Sequence, residues 1–210
     1  MPINGPKKAK YTLILAHGAG AGMDTPFMEH LASGIAKHGI RVIRFEFPYM
    51  QDRRTTGKKK PPNPMRILEE EWLLQIDAVE GDNIIIGGKS MGGRVATRVL
   101  SKSKAIGCVV FGYPFHPPRK PEKLRVAHLH EITKPMLILQ GTRDPFGNRE
   151  EGIASYIPKS GILHWLEDGE HSFKPRKASG RTWEQNLEAA VAKTVAFIFD
   201  VVAKNRRSKD

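Results

Sequence analysis

Three short stretches hold side chains suited to nucleophilic chemistry. The first is Gly88-Lys89-Ser90-Met91-Gly92, a G-x-S-x-G pattern. A serine hydroxyl becomes a useful nucleophile only when it is lifted clear of the backbone and set beside a base. Glycines on either side allow the sharp turn that lifts it. The second stretch places Asp144 in Gly141-Thr142-Arg143-Asp144-Pro145-Phe146-Gly147, and the third places His171 in Glu167-Asp168-Gly169-Glu170-His171-Ser172-Phe173. In acyl transfer an imidazole takes the serine proton, a carboxylate holds the imidazole, and backbone amides receive the oxyanion.

Each residue also has an ordinary explanation. Ser90 would suit the N-cap of a helix, Asp144-Pro145 a turn, and His171 an exposed loop. A phosphate-binding loop would need G-x-x-x-x-G-K-[ST], which is absent here. The order serine, acid, histidine is what favours catalysis, because each follows the end of a strand-like run. Asp168 lies nearer His171 in sequence and is the fallback acid. Asp144 is preferred because an orienting acid approaches from a neighbouring strand end. The Met91 amide, opening a helix, is the first expected oxyanion donor. The Ala19 amide in His17-Gly18-Ala19-Gly20 is the second, with Gly18 and Gly20 as alternatives. His17 itself reads as a structural loop residue.

The elements that must position these groups alternate along the chain. Apolar runs at 11–16, 40–47, 83–87, 105–111, 135–140 and 161–166 read as buried strands. Helical spacing spans 26–38, 65–80, 90–102 and 182–202, and 50–64 reads as a polar, basic loop with three prolines. Continuous apolar strands between helices indicate a mostly parallel sheet covered on both faces. The expectation is one α/β domain over residues 1–210, with about six strands, no large lid, and flexible basic tails at 1–10 and 204–210.

Composition narrows the classes. The chain has 210 residues, 40% hydrophobic and 27% charged, as a globular protein does. One cysteine, Cys108, excludes an internal disulfide framework and suits a reducing compartment. Only six apolar residues precede His17, so no signal peptide is expected, and 189–203 is broken by Lys193 and Asp200. A cytoplasmic location with no membrane association is expected. The net charge is +12, from 34 Lys+Arg against 22 Asp+Glu. Residues 1–10, 51–66, 174–181 and 201–210 carry +3, +5, +4 and +3, leaving −3 elsewhere. No basic helical stripe with interleaved amides is present, so nucleic acid is not an expected partner.

These stretches resemble the α/β-hydrolase superfamily. Within it they are similar to a small lidless group that includes dienelactone-hydrolase-like proteins and the KANL3/Tex30-like hydrolase domain. The matching segments are 15–28, 44–62, 87–96, 112–125, 139–147 and 168–173. The resemblance implies a site of Ser90, Asp144 and His171 on a minimal hydrolase sheet. Dienelactone hydrolases proper use a cysteine nucleophile where this chain has Ser90; Cys108 reads as a small core residue. A small-molecule ester or thioester substrate is expected, without cofactor or metal, His128 and His130 having no partners at metal spacing. His116, Arg53 and Arg54 are candidates for contacting the substrate, which the basic run would favour as an anion. Trp72, Trp165 and Trp183 read as core. Two other functions fit the same residues: a non-catalytic scaffold binding an acidic protein or RNA through basic loops, and an acyltransferase using the same triad.

Overall fold

Apolar strands that can bury both faces need helices above and below, and this chain supplies them. The computed structural model describes residues 1–207. Its seven strands are β1 (Ile3–Asn4), β2 (Thr12–Ala16), β3 (Arg41–Phe45), β4 (Ile84–Lys89), β5 (Gly107–Phe111), β6 (Met136–Gly141) and β7 (Gly161–Leu166). They form one sheet in the order β1-β3-β2-β4-β5-β6-β7, parallel except for β1. The helices are α1 (Pro26–Ala36), α2 (Pro48–Thr56), α3 (Met65–Asp77), α4 (Met91–Val99) and α5 (Trp183–Arg207).

Alternation along the strands divides the core. Leu13, Leu15, Val42, Ile85 and Val109 face α1 and α5, whereas Ile14, Ile43, Phe45, Ile86 and Val110 face α3 and α4. Cys108 is fully buried on the second face, and burial pushes its thiol well above the ordinary range. Trp72 is fully buried there too, and its indole N–H donates to Gly92 O at 3.2 Å, which satisfies its polar atom.

One expectation is corrected. The basic loop at 50–64 begins as helix α2. Pro48 suits its first turn, and Gly57, at φ 70°, stops it by donating its N–H to Arg53 O. The three prolines all follow the helix, so they do not break it. Within the N-terminal segment Ile3–Asn4 form β1, which pairs with β3, and buried Arg44 reaches Asn4 Oδ1 at 3.1 Å and Glu29 at 2.5 Å. At the other end α5 runs to Arg207, and 208–210 lie outside the described residues.

Candidate active site

β4 ends at Lys89 and α4 starts at Met91, so the chain reverses at a single residue, Ser90. Ser90 has φ 51° and ψ −117°, a conformation that side-chain-bearing residues avoid. Its amide donates to Phe111 O at 3.1 Å, and its carbonyl accepts from Arg94 N at 2.9 Å, which holds the turn. The flanking glycines are demanded by close approach. A Cβ at Gly88 would lie 2.5 Å from Ala16 O, and one at Gly92 would collide with His17 O.

His171 lies in the loop between β7 and α5 and faces this turn. Its Nε2 accepts from Ser90 Oγ at 2.8 Å, and its Nδ1 donates to Asp144 Oδ2 at 2.8 Å. Asp144, just beyond β6, is fully buried. It also accepts from Phe146 N at 2.9 Å and Gln140 Nε2 at 3.0 Å. The structure thus brings together three residues 54 and 27 positions apart along the chain. The pKa of His171 lies below its ordinary value, chiefly through burial and then through the nearby Lys89 cation, against the pull of Asp144. Phe146 stacks against the imidazole, ring centroids 4.2 Å apart.

Ser90 and His171 line a cavity of about 330 Å³ whose walls include Ala19, Phe27, Met28 and Phe146. The glycine-rich loop after β2 forms one side. Tyr49 of α2 donates its hydroxyl to Gly18 O (3.2 Å) and Ala19 O (3.0 Å), and Arg53 donates to Gly20 O (3.0 Å). The carbonyls of the loop are therefore turned toward α2. In a trans peptide the N–H opposes the preceding C=O, so the Ala19 N–H points away from Tyr49. Met91 opens α4, where an amide has no intrahelical acceptor. His17 fastens the same loop: Phe47 N donates to its Nε2 at 3.1 Å, so the proton sits on Nδ1 and is donated to Gly18 O at 2.6 Å.

Other expected residues are placed elsewhere. Arg54 binds Glu46 Oε1 at 2.6 Å and Asp24 at 2.9 Å, and Arg53 holds the loop backbone; neither lines the Ser90 cavity. His116 is buried, between Pro117 O and Glu151 Oε2, both at 2.8 Å, and does not line it either. Each of the three thus has intramolecular partners, and Arg53 and Arg54 line an adjoining cavity that shares Gly20, Ala21 and Gly22 with that of Ser90. Asp168, the fallback acid, binds Arg176 and Arg143, which hold its carboxyl down at about 2, and it makes no bond to His171.

Two contributors escape sequence reading. Lys89 donates to His171 O at 2.5 Å, tying the residue before the serine to the histidine loop, and burial brings its ammonium down to about 8. Gln140 is fully buried; besides Asp144 it binds Tyr113 N and O and Gly147 O, knitting β5 to the acid loop. Hydrogen bonds to backbone leave no motif, so only the position of Lys89 inside the elbow was a signal. Among the described residues no group of three or more His, Cys, Asp or Glu side chains could hold a metal ion, and no helix is long and apolar enough to cross a membrane.

Comparison with known proteins agrees with this architecture. The chain is similar to Est1E from Butyrivibrio proteoclasticus, with a TM-score of 0.68 at 15% identity over 93% of each chain. It is similar to a dienelactone hydrolase from Anabaena variabilis, with a TM-score of 0.69 at 17% identity over 94% of this chain and 89% of that one. An alpha-beta serine hydrolase homologue from Coxiella burnetii gives 0.65 at 20% identity, over 91% and 89%. At these identities the likeness is one of fold. The model of a family described as an alpha/beta hydrolase domain matches residues 9–199, nearly the whole chain, and the chain belongs to that family.

Proposed function

We propose that this hydrolase cleaves an ester or thioester of a small to medium molecule through an acyl-enzyme on Ser90. The observation that carries the reading is the unbroken relay from Ser90 Oγ through His171 to buried Asp144, at the wall of a cavity. A neutral imidazole with its Nδ1 proton on Asp144 leaves Nε2 free to take the serine proton. His171 has its pKa held low, so it is in that form at neutral pH.

Ser90 Oγ attacks the substrate carbonyl while its proton moves to His171 Nε2. The carbonyl oxygen becomes an oxyanion, received by the Met91 and Ala19 amides. Collapse expels the alcohol or thiol, which takes the proton from His171. Water then attacks the acyl-enzyme, again deprotonated by His171, and restores Ser90. Each oxyanion donor supplies about 3–4 kcal/mol in related chemistry.

Phe27, Met28 and Phe146 make the cavity wall apolar and suit a short acyl or alkyl group. Arg53 and Arg54 are committed elsewhere, so any preference for an anionic substrate rests on Lys89. The motif set supports placement in the small KANL3/Tex30-like group, and a single buried cysteine fits the cytoplasm.

A fluorophosphonate probe tests the reading. It should label the wild type at Ser90 and leave Ser90→Ala unlabelled. An ester and thioester panel of graded length and charge should show turnover lost in the same variant. A folded wild type that neither labels nor turns over any panel member would overturn the proposal.

A further inference from the structure

A second cavity, of about 410 Å³, opens beside α4 and shares no lining residue with the Ser90 cavity. Arg94, Arg98, Arg125, His128, His130 and Glu131 line it. Arg94 and Arg98 stand one helical turn apart on α4 and so share a side of it. Arg125 comes from the segment after β5, held in place by the Tyr113 hydroxyl, which donates to Arg125 O at 2.7 Å.

The charges here are unbalanced. Arg98 pairs with Glu69 of α3. Among the described residues Arg94 and Arg125 form no ion pair; the Arg94 guanidinium meets the Tyr113 hydroxyl, and its Nε is buried without a hydrogen-bond partner. Arg125 and Arg98 both repel the Arg94 charge. Glu131 stands at the exposed rim, 3.8 Å from His130. His128 donates to Thr97 Oγ1 at 2.9 Å, and that hydroxyl donates to Arg94 O at 2.7 Å. Burial and the cations Arg98 and Arg94 push this imidazole down to about 4.

A fold gains nothing by gathering three guanidiniums and leaving two without carboxylates. Guanidinium forks match tetrahedral oxyanions in shape and charge. We propose that this cavity binds a phosphate-type dianion, the phosphoryl group of a small phosphomonoester, held by Arg94 and Arg125 with Arg98 beside them. A cavity of about 410 Å³ has room for the group that an ester carries beyond its phosphate. Leu124 and Arg125, the end of the basic segment 117–125 (PPRKPEKLR), line it.

The test uses Ser90→Ala protein, in which the catalytic site is silent, alongside the wild type. Thermal unfolding and calorimetry are run with inorganic phosphate, with glycerol 2-phosphate, and with sodium chloride at matched ionic strength. Both phosphate probes should raise the melting temperature of both proteins beyond the chloride control. Tighter binding of glycerol 2-phosphate assigns the ester as ligand; tighter binding of inorganic phosphate assigns the free ion to the same site. Arg125→Gln should weaken binding at least about tenfold while melting no lower than the parent without anion, because a repulsion has been removed. Arg94→Gln is the second variant and should behave alike. By NMR, phosphate should raise the pH at which His128 titrates. A shift no larger than that with chloride, or one equal in both arginine variants, would overturn the proposal.

Discussion

Ser90 Oγ, His171 and Asp144 form a chain of two 2.8 Å hydrogen bonds, and its behaviour depends on neighbours that do no chemistry. Asp144→Asn would keep the volume but favour the wrong histidine tautomer, and kcat should fall on the order of 10⁴-fold in steady-state assays. Lys89 acts through His171. A cation beside an imidazole disfavours its protonation, so the acid limb of kcat/KM should lie below the ordinary histidine value of 6.5. Lys89→Met should move that limb to higher pH. The variant should therefore lose most, relative to wild type, near pH 6. The gap should close by about pH 8, where His171 is neutral in both proteins. A full pH–rate profile of both proteins checks this. Ser90, Asp144 and His171 stood out as candidates in the sequence because a serine turn, an acid and a histidine follow strand ends in a fixed order. The bonds of Arg53, Arg54 and His116 were not legible, because their partners, Gly20 O, Glu46, Asp24 and Glu151, are brought to them only by folding. Arg54→Gln should thus act on stability more than on substrate charge preference. It leaves the buried Glu46 carboxylate short of its partner, at a cost of about 1–3 kcal/mol in denaturant unfolding.

Elements set the precision of the site. Ser90, Asp144 and His171 each follow the carboxyl end of a parallel strand, where β4, β6 and β7 hand over to the next segment. The elbow depends on backbone-to-backbone approach, so Gly92→Ala, driving a Cβ into His17 O, should destabilise by about 1–3 kcal/mol or prevent folding, as read by thermal unfolding. The histidine loop is fastened separately. Asp168, at φ 53°, accepts from Arg176 N at 2.6 Å and binds the Arg176 and Arg143 side chains. Its carboxyl is held at about 2, below the ordinary 3.8. A depressed folded value means that its stabilising contribution is complete above about pH 4 and is lost as pH falls toward 2. Asp168→Asn should flatten that part of the acid-unfolding curve. Six of the seven strands were legible as apolar runs. β1 was not, because two residues carry no periodicity. Helix α2 was hidden by polar composition, although Pro48 and Gly57 mark its two ends.

The whole molecule carries +12, and much of that charge is spent internally. Arg44, Arg54, Arg98, Arg143 and Arg176 all bind carboxylates. The residual excess still repels itself, so the melting temperature should rise between about 10 mM and 150 mM sodium chloride as screening shortens to about 8 Å. Thermal scans across that range check it. By itself the sequence determined the sheet with helices on both faces, the strained turn at Ser90 and the chain order of the candidates Ser90, Asp144 and His171. Those follow from local apolar runs, glycine spacing and chain order, which need no knowledge of distant contacts. Only the tertiary structure decided that Asp144 rather than Asp168 meets His171, and that Lys89 and Gln140 brace them. It alone separated the arginines neutralised by carboxylates from Arg94 and Arg125, which form no ion pair among the described residues. A hydrogen bond or ion pair is fixed by angstrom-scale proximity, and residues dozens of positions apart acquire it only when the sheet has closed.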